Sequence, residues 1–236
     1  MIALLWFEDR RDEPLIDVRF FHSIPFASAT ALAVAAFGSL GGFLFLNTLY
    51  LQDVRGLSAL HAGLDTLPMA VTAMIVSPIS GRMVGKSGSR APLLTAGVTM
   101  TAGSAMLTVI SPSTSFTWLF AAYVLFGAGF GLVNPPITHT AVSGMPRDQA
   151  GVASGIASTS RQVGQTLGVA IVGAIVTAGV SEHVHLDLAS ASHAGWWVIV
   201  GAGIVIFVLG ALSTSEGALR SAKRTAERIN PEWLAS

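Results

Sequence analysis

Cysteine is absent from the 236 residues, which excludes disulfides, thiolate metal sites and cysteine nucleophiles. Charge is scarce as well: 11% of the residues are Asp, Glu, Lys or Arg, less than half the roughly 25% of a soluble globular chain. The two signs cancel to a net charge of zero, so no long-range attraction to nucleic acid is implied. No charged residue at all lies between Ala91 and Pro146, enough chain for two membrane spans with a turn at 111–115. An intramembrane enzyme would need a clustered nucleophile or ligand set, and none is present. His183 and His185 sit in a polar loop without a third placed ligand, so no metal and no cofactor is expected. The start lacks the pattern of a signal peptide, because charges follow Met1–Phe7 at once and no small-residue cleavage site is found.

What the chain has in quantity is apolar sequence, 52% of its residues, with a mean hydropathy of +0.65. The apolar runs predict six spans, at about 26–51, 63–83, 92–110, 117–142, 152–179 and 195–212. The expected fold class is therefore an all-α polytopic membrane protein, with a six-span bundle over 26–213. A lead-in, 1–25, precedes it; there Met1–Phe7 reads either as the stub of a preceding span or as an interfacial segment. A basic amphipathic tail, 214–236, follows. The second and fifth spans both open on Ala-Gly, at Ala62 and Ala150, from opposite sides of the membrane, as a 3+3 inverted repeat would have it. With six spans Arg10, Arg11, Arg19, Arg82, Lys86, Arg90, Arg147 and the basic tail share one side and Arg55 stands on the other. That asymmetry puts both termini on the cytoplasmic side, and the plasma membrane is the expected location. Trp118 and the pair Trp196–Trp197 fall at outer span ends, where an interfacial belt is expected.

Four features carry the functional reading. Gly127-Ala-Gly-Phe-Gly resembles a dinucleotide fingerprint but lies inside a long apolar helix rather than after a strand, so close helix packing through Gly127 and Gly131 is the better use. Pro135 and Pro136 cannot donate to the carbonyls of Gly131 and Leu132, which frees two acceptors for a cavity, a water or Arg161. Arg161 lies some 14 Å from Val152 at about 1.5 Å per residue, close to the midplane. Facing lipid there would cost roughly 3 kcal/mol on insertion scales, so it faces inward, either as a clamp on carbonyls or as a cavity residue touching substrate or a proton path. Asp65, about a turn into its span, is either a helix-start acid favoured by the macrodipole or a titrating, substrate-contacting acid.

Several of these stretches are similar to one family. Glu13-Pro-Leu-Ile-Asp-Val-Arg-Phe-Phe, Gly81-Arg-Met-Val-Gly-Lys-Ser-Gly-Ser-Arg, Gly127-Ala-Gly-Phe-Gly-Leu-Val-Asn-Pro-Pro and Arg161-Gln-Val-Gly-Gln-Thr-Leu-Gly match it. They resemble the C-terminal part of the fourteen-span drug:proton antiporters of the major facilitator superfamily, the EmrB/QacA type. The resemblance implies the last six spans of such an exporter, with protons as coupling ion and a small amphipathic compound as substrate. The remaining partners it implies are membrane lipids and a missing N-terminal half or a second copy; a truncated half without transport of its own is the alternative. It also implies that the first, second, fourth and fifth spans line the cavity, which carries Asn47, Asp65, Asn134, Thr138, Arg161 and Gln165. Gly81, Arg82, Gly88 and Arg90 in the loop motif, with Gly127, Gly131, Pro135, Pro136, Gly164 and Gly168, are the packing and motif positions. Two departures stand out: Gly85 replaces the usual aspartate of the loop motif, and Ser158 replaces a frequent asparagine.

Overall fold

A computed structural model describes residues 24–142, 150–182, 188–215, 217–218 and 220–221. The expected lead-in up to residue 23, the loop residues 143–149, His183, His185 and nearly all of the basic tail lie outside the described residues. Within them the secondary structure is helical throughout: α1 Ile24–Leu49, α2 Ala59–Ser87, α3 Arg90–Leu107, α4 Phe116–Val142, α5 Ala150–Glu182 and α6 Leu188–Ser213. In a bilayer only such segments satisfy every backbone group internally. Five of the six are long and apolar enough to cross a membrane, α1 being counted together with the π-helical turn Tyr50–Val54 that extends it.

The exception is α3, 18 residues that begin on Arg90 and carry Thr95, Thr99, Thr101 and Ser104. Topology nevertheless makes it a crossing helix. Met69 and Ala73 of α2 face Gly127 and Gly131 of α4, in that order, so α2 and α4 run in the same direction. Only α3 can carry the chain back between them, and its length of about 27 Å nearly matches a hydrocarbon core of about 30 Å. Its hydroxyls are tolerable there because they return to their own helix: Thr101 donates to the Gly97 carbonyl at 2.7 Å and Ser104 to that of Met100 at 2.8 Å.

The helices pair in a pattern that exchanges when α1, α2, α3 are swapped for α4, α5, α6. α1 packs on α5 as α4 packs on α2, and α1 packs on α6 as α4 packs on α3; α3 and α6 lie against each other. This is the pairing of a 3+3 repeat. One end of the bundle is basic, with Arg82, Lys86 and Arg90 exposed around the α2–α3 turn; the far end holds Arg55 and the α3–α4 loop. The core centres on Phe43, which stacks on Phe126 at 4.3 Å between ring centroids and meets Tyr123 and Trp196 edge-on at 5.6 Å each.

Trp196 corrects an expectation. It is fully buried against Phe43, while Trp197 and Trp118 are exposed. α6 begins at Leu188, seven residues before the expected start at 195, so Trp196 and Trp197 both stand about two turns inside the helix.

Candidate functional site

The residues expected to line a cavity fall into two groups at different depths on α1, α2, α4 and α5. Near the far end, Asp65 lines a cleft of about 430 Å³ together with Pro68, Phe116, Phe120 and Tyr123. α2 starts at Ala59 with Ser58 as its cap, and no acid lies in its first turn. Asp65 is thus well past the reach of the helix dipole, and the helix-start reading does not hold. Beside it, Asn47 joins three helices. Its Nδ2 donates to Thr66 Oγ1 of α2 at 2.8 Å, and its Oδ1 accepts from the Tyr123 hydroxyl of α4. Asn47 and Tyr123 are almost fully buried, so this triad fixes one wall of the cleft. Arg55 holds the mouth: its Nη1 donates to the Thr114 carbonyl at 2.7 Å and its guanidinium lies 4.6 Å over the ring of Phe116.

Toward the middle of the bundle a second cleft of about 340 Å³ is apolar, with Leu40, Leu44, Leu67, Met69 and Phe130 in its walls. Phe130 meets Phe37 of α1 edge-on at 5.3 Å, and the Arg161 guanidinium lies 5.6 Å from the Phe37 ring centroid. Arg161 Nη2 donates to Thr138 Oγ1 of α4 at 2.6 Å, whereas its Nε is buried without a hydrogen-bond partner. The clamp on carbonyls is therefore not what the structure shows; a hydroxyl and an aromatic face hold the arginine. Its head group also leans away from the midplane, since Thr138 is only four residues from the end of α4, about 6 Å along the axis. Asn134 lies half-buried one turn before Thr138, and Gln165 lies exposed one turn beyond Arg161.

Arg161 is not the group that claims the proline-freed carbonyls either. Ser80 of α2 donates to the Leu132 carbonyl at 2.7 Å, fully buried, so the acceptor that Pro136 leaves open locks α2 to α4. The glycines divide in two. A Cβ on Gly127 or Gly131 would strike the backbone of Met69 or Ala73, and one on Gly164 or Gly168 that of Val34 or Gly38, so these are true close approaches. Gly81 has nothing within 4 Å and is not a packing contact. Gly88, at φ 82° and ψ −179°, takes a positive-φ conformation open to glycine where α2 ends, while Arg82 and Arg90 are exposed.

Sequence reasoning missed Tyr123, Thr66, Phe37 and Ser80. One signal was available for the first. The chain has just two tyrosines, and both are buried with the hydroxyl bonded, Tyr50 to the Ser111 carbonyl at 2.7 Å and Tyr123 to Asn47.

Comparison with known proteins bears on this arrangement. The sequence profile of the Major Facilitator Superfamily matches residues 2–169. The multidrug resistance protein Stp of Mycobacterium tuberculosis is 35% identical over 187 residues, which cover 78% of this chain and 35% of that protein. The tetracenomycin C resistance and export protein of Streptomyces glaucescens is 33% identical over 177 residues, 74% of this chain and 32% of that protein. The quinolone resistance protein NorB of Staphylococcus aureus is 29% identical over 204 residues, 86% and 43% respectively. The chain thus matches less than half the length of each of these relatives. Among solved structures, a bacterial homologue of the human drug peptide transporters PepT1 and PepT2 has the same fold, with a TM-score of 0.70, 19% identity, and coverage of 91% of this chain and 47% of that one.

Proposed function

The chain belongs to the major facilitator superfamily, a family of transporters rather than enzymes, and from that premise we propose that it is the C-terminal bundle of a proton-coupled exporter of small amphipathic compounds. The finer type is the fourteen-span EmrB/QacA drug:proton antiporter. The observation that carries the reading is two polar groups beside apolar, aromatic-edged clefts: Asp65 lines the far-end cleft, and Arg161 lies on Phe37, whose ring meets Phe130 in the wall of the second. An amphipathic molecule needs such a surface: apolar walls for its body, a carboxylate within reach of a cationic head, and a second charge deeper in. Resistance and export are what the names of Stp and the tetracenomycin protein state for those relatives, and the reading extends them to this chain. α2 and α5 are the least buried of the spans, so the faces of the cleft need cover, from an N-terminal half or from a second copy. The membrane is the bacterial cytoplasmic one, with the basic end inside.

The test uses the chain alone and joined to the N-terminal spans of a relative, in cells stripped of their own exporters. The joined protein should lower a fluorescent cationic dye in a proton-gradient-dependent way, and the lone chain should not. Within the joined protein Arg161→Ala should abolish export while membrane abundance stays within about twofold, and Arg161→Lys should rescue poorly because the planar fork is lost. Normal export by the Ala variant would remove the arginine from the mechanism.

A further inference from the structure

The end of α4 is built differently from the rest of that helix. Pro135 and Pro136 have no N–H, so the carbonyls of Gly131 and Leu132 lose their partners within the helix, and Ser80 takes the second of them. Two missing rungs at one point make the place where a helix bends most easily. Beyond it, three consecutive side chains all leave α4 for other elements. Thr138 accepts from Arg161 Nη2 of α5 at 2.6 Å. His139 Nδ1 lies 3.2 Å from Ser89 Oγ, and Thr140 Oγ1 donates to the same Ser89 Oγ at 3.4 Å.

Ser89 itself is used in an unusual way. It stands at the N-cap of α3, where a serine hydroxyl ordinarily accepts from the first turn of its own helix, yet it makes no such bond. It is buried, and its hydroxyl is spent on α4 instead. The preceding Gly88, with its positive φ, lets α2 end and α3 begin with this serine between them. One short segment of α4 therefore holds an arginine from α5 on one side and the α2–α3 turn on the other.

We propose that the last turn of α4 is a coupling element: set apart by the Pro135–Pro136 break, it joins the Arg161 guanidinium on α5 to the turn between α2 and α3, with Thr138, His139 and Ser89 as its positioning residues. Arg161 has donors to spare, since Nε is buried and unpartnered. An anionic group drawing the guanidinium toward itself would release Thr138, and the segment beyond the two missing ladder bonds would yield before the rest of α4. The Ser89 contacts pass that movement to the start of α3. The use of this link in transport rests on the cavity role proposed above for Arg161; the link itself is independent of it.

Amide hydrogen exchange on the full chain in lipid nanodiscs reads the link directly. The reporters are the Gly88 amide, bonded to the Val84 carbonyl at 3.0 Å, and the Leu93 amide, bonded to that of Ser89 at 3.1 Å. Thr138→Val removes the acceptor of Arg161 without changing any charge. It should speed exchange at both reporters by about fivefold, the size expected for one lost hydrogen bond. Ser89→Ala should do the same, and the double variant should go no further, since both cut one path. Arg161→Lys, which keeps the charge, is a second probe and should match Thr138→Val. Replacing both prolines by alanine restores the ladder, and in that background Thr138→Val should leave Gly88 and Leu93 unchanged. Unchanged reporters in Thr138→Val and Arg161→Lys, or additive effects in the double variant, would overturn the coupling. Exchange is measured without transport, so a failure to export dye would leave these outcomes intact, and a failed coupling would leave the dye assay to stand alone.

Discussion

Two of the bundle's seams, α2 on α4 and α1 on α5, reach close contact by different means. In the first, glycines occur on one side of the contact: Gly127 and Gly131 of α4 lie on the backbone of Met69 and Ala73. A hydroxyl then crosses the seam, from Ser80 to the Leu132 carbonyl. In the second, glycines stand on both sides, Gly38 against Gly164 and Gly168, with Gly41 on the carbonyl of Gln165. There the hydroxyls turn back on their own helices, Ser39 to the Ala35 carbonyl, Ser160 to that of Ile156 and Thr166 to that of Gln162. The difference follows from proline. α4 contains Pro135 and Pro136 and so has a carbonyl to offer, whereas α5 has no proline and its ladder has no rung to spare. A broken helix can be locked to its neighbour by a hydrogen bond; an unbroken one has little but proximity.

The comparison can be broken from either side. Gly168→Ala should be the most damaging of the single-methyl changes, because its Cβ meets the Gly38 carbonyl, backbone that cannot rotate away, and the seam has no polar lock to hold it. A loss of about 1–3 kcal/mol is expected from such overpacking, read as a lower unfolding midpoint in mixed micelles. Gly131→Ala meets the Ala73 carbonyl at 2.7 Å and should cost a similar or smaller amount. If Gly131→Ala proves the more harmful by a clear margin, the lock gives no protection and the contrast between the seams fails. Ser80→Ala should cost about 1 kcal/mol, within the range for hydrogen bonds between membrane helices, since it strands the Leu132 carbonyl. The smallest effect belongs to Gly81→Ala, which adds a methyl to open space and should leave the midpoint unchanged or raise it slightly through helix propensity. A large loss there would restore Gly81 to the packing residues.

Helix number and order were legible in the apolar runs, and so was Arg161, because an arginine inside such a run has few tolerable surroundings. Its partners were not. Thr138 and Phe37 come from other helices, and nothing in the spacing marks which hydroxyl or ring an arginine will reach. The two misplacements share a cause. The apolar runs place Asp65 and Trp196 near span ends, but α2 and α6 begin four and seven residues before those runs, at Ala59 and Leu188. Helices continue through the interface while hydropathy has already fallen, so depth read from the run alone is too shallow. The double proline predicts the freed Leu132 carbonyl but not its donor, since Ser80 lies 52 residues upstream on a helix whose direction relative to α4 only the fold reveals.

The same-direction pairing of α1 with α5 has a consequence for biosynthesis. Val34 and Gly38 receive their backbone partners only when Gly164 and Gly168 have been made, about 130 residues later, whereas Met69 waits about half as long for Gly127. At roughly 5–20 residues per second the first helix stands without its tightest neighbour for on the order of ten seconds. During that interval Gly38 and Gly41 lack the backbone they pack against, and the seam closes only once the fifth helix has arrived.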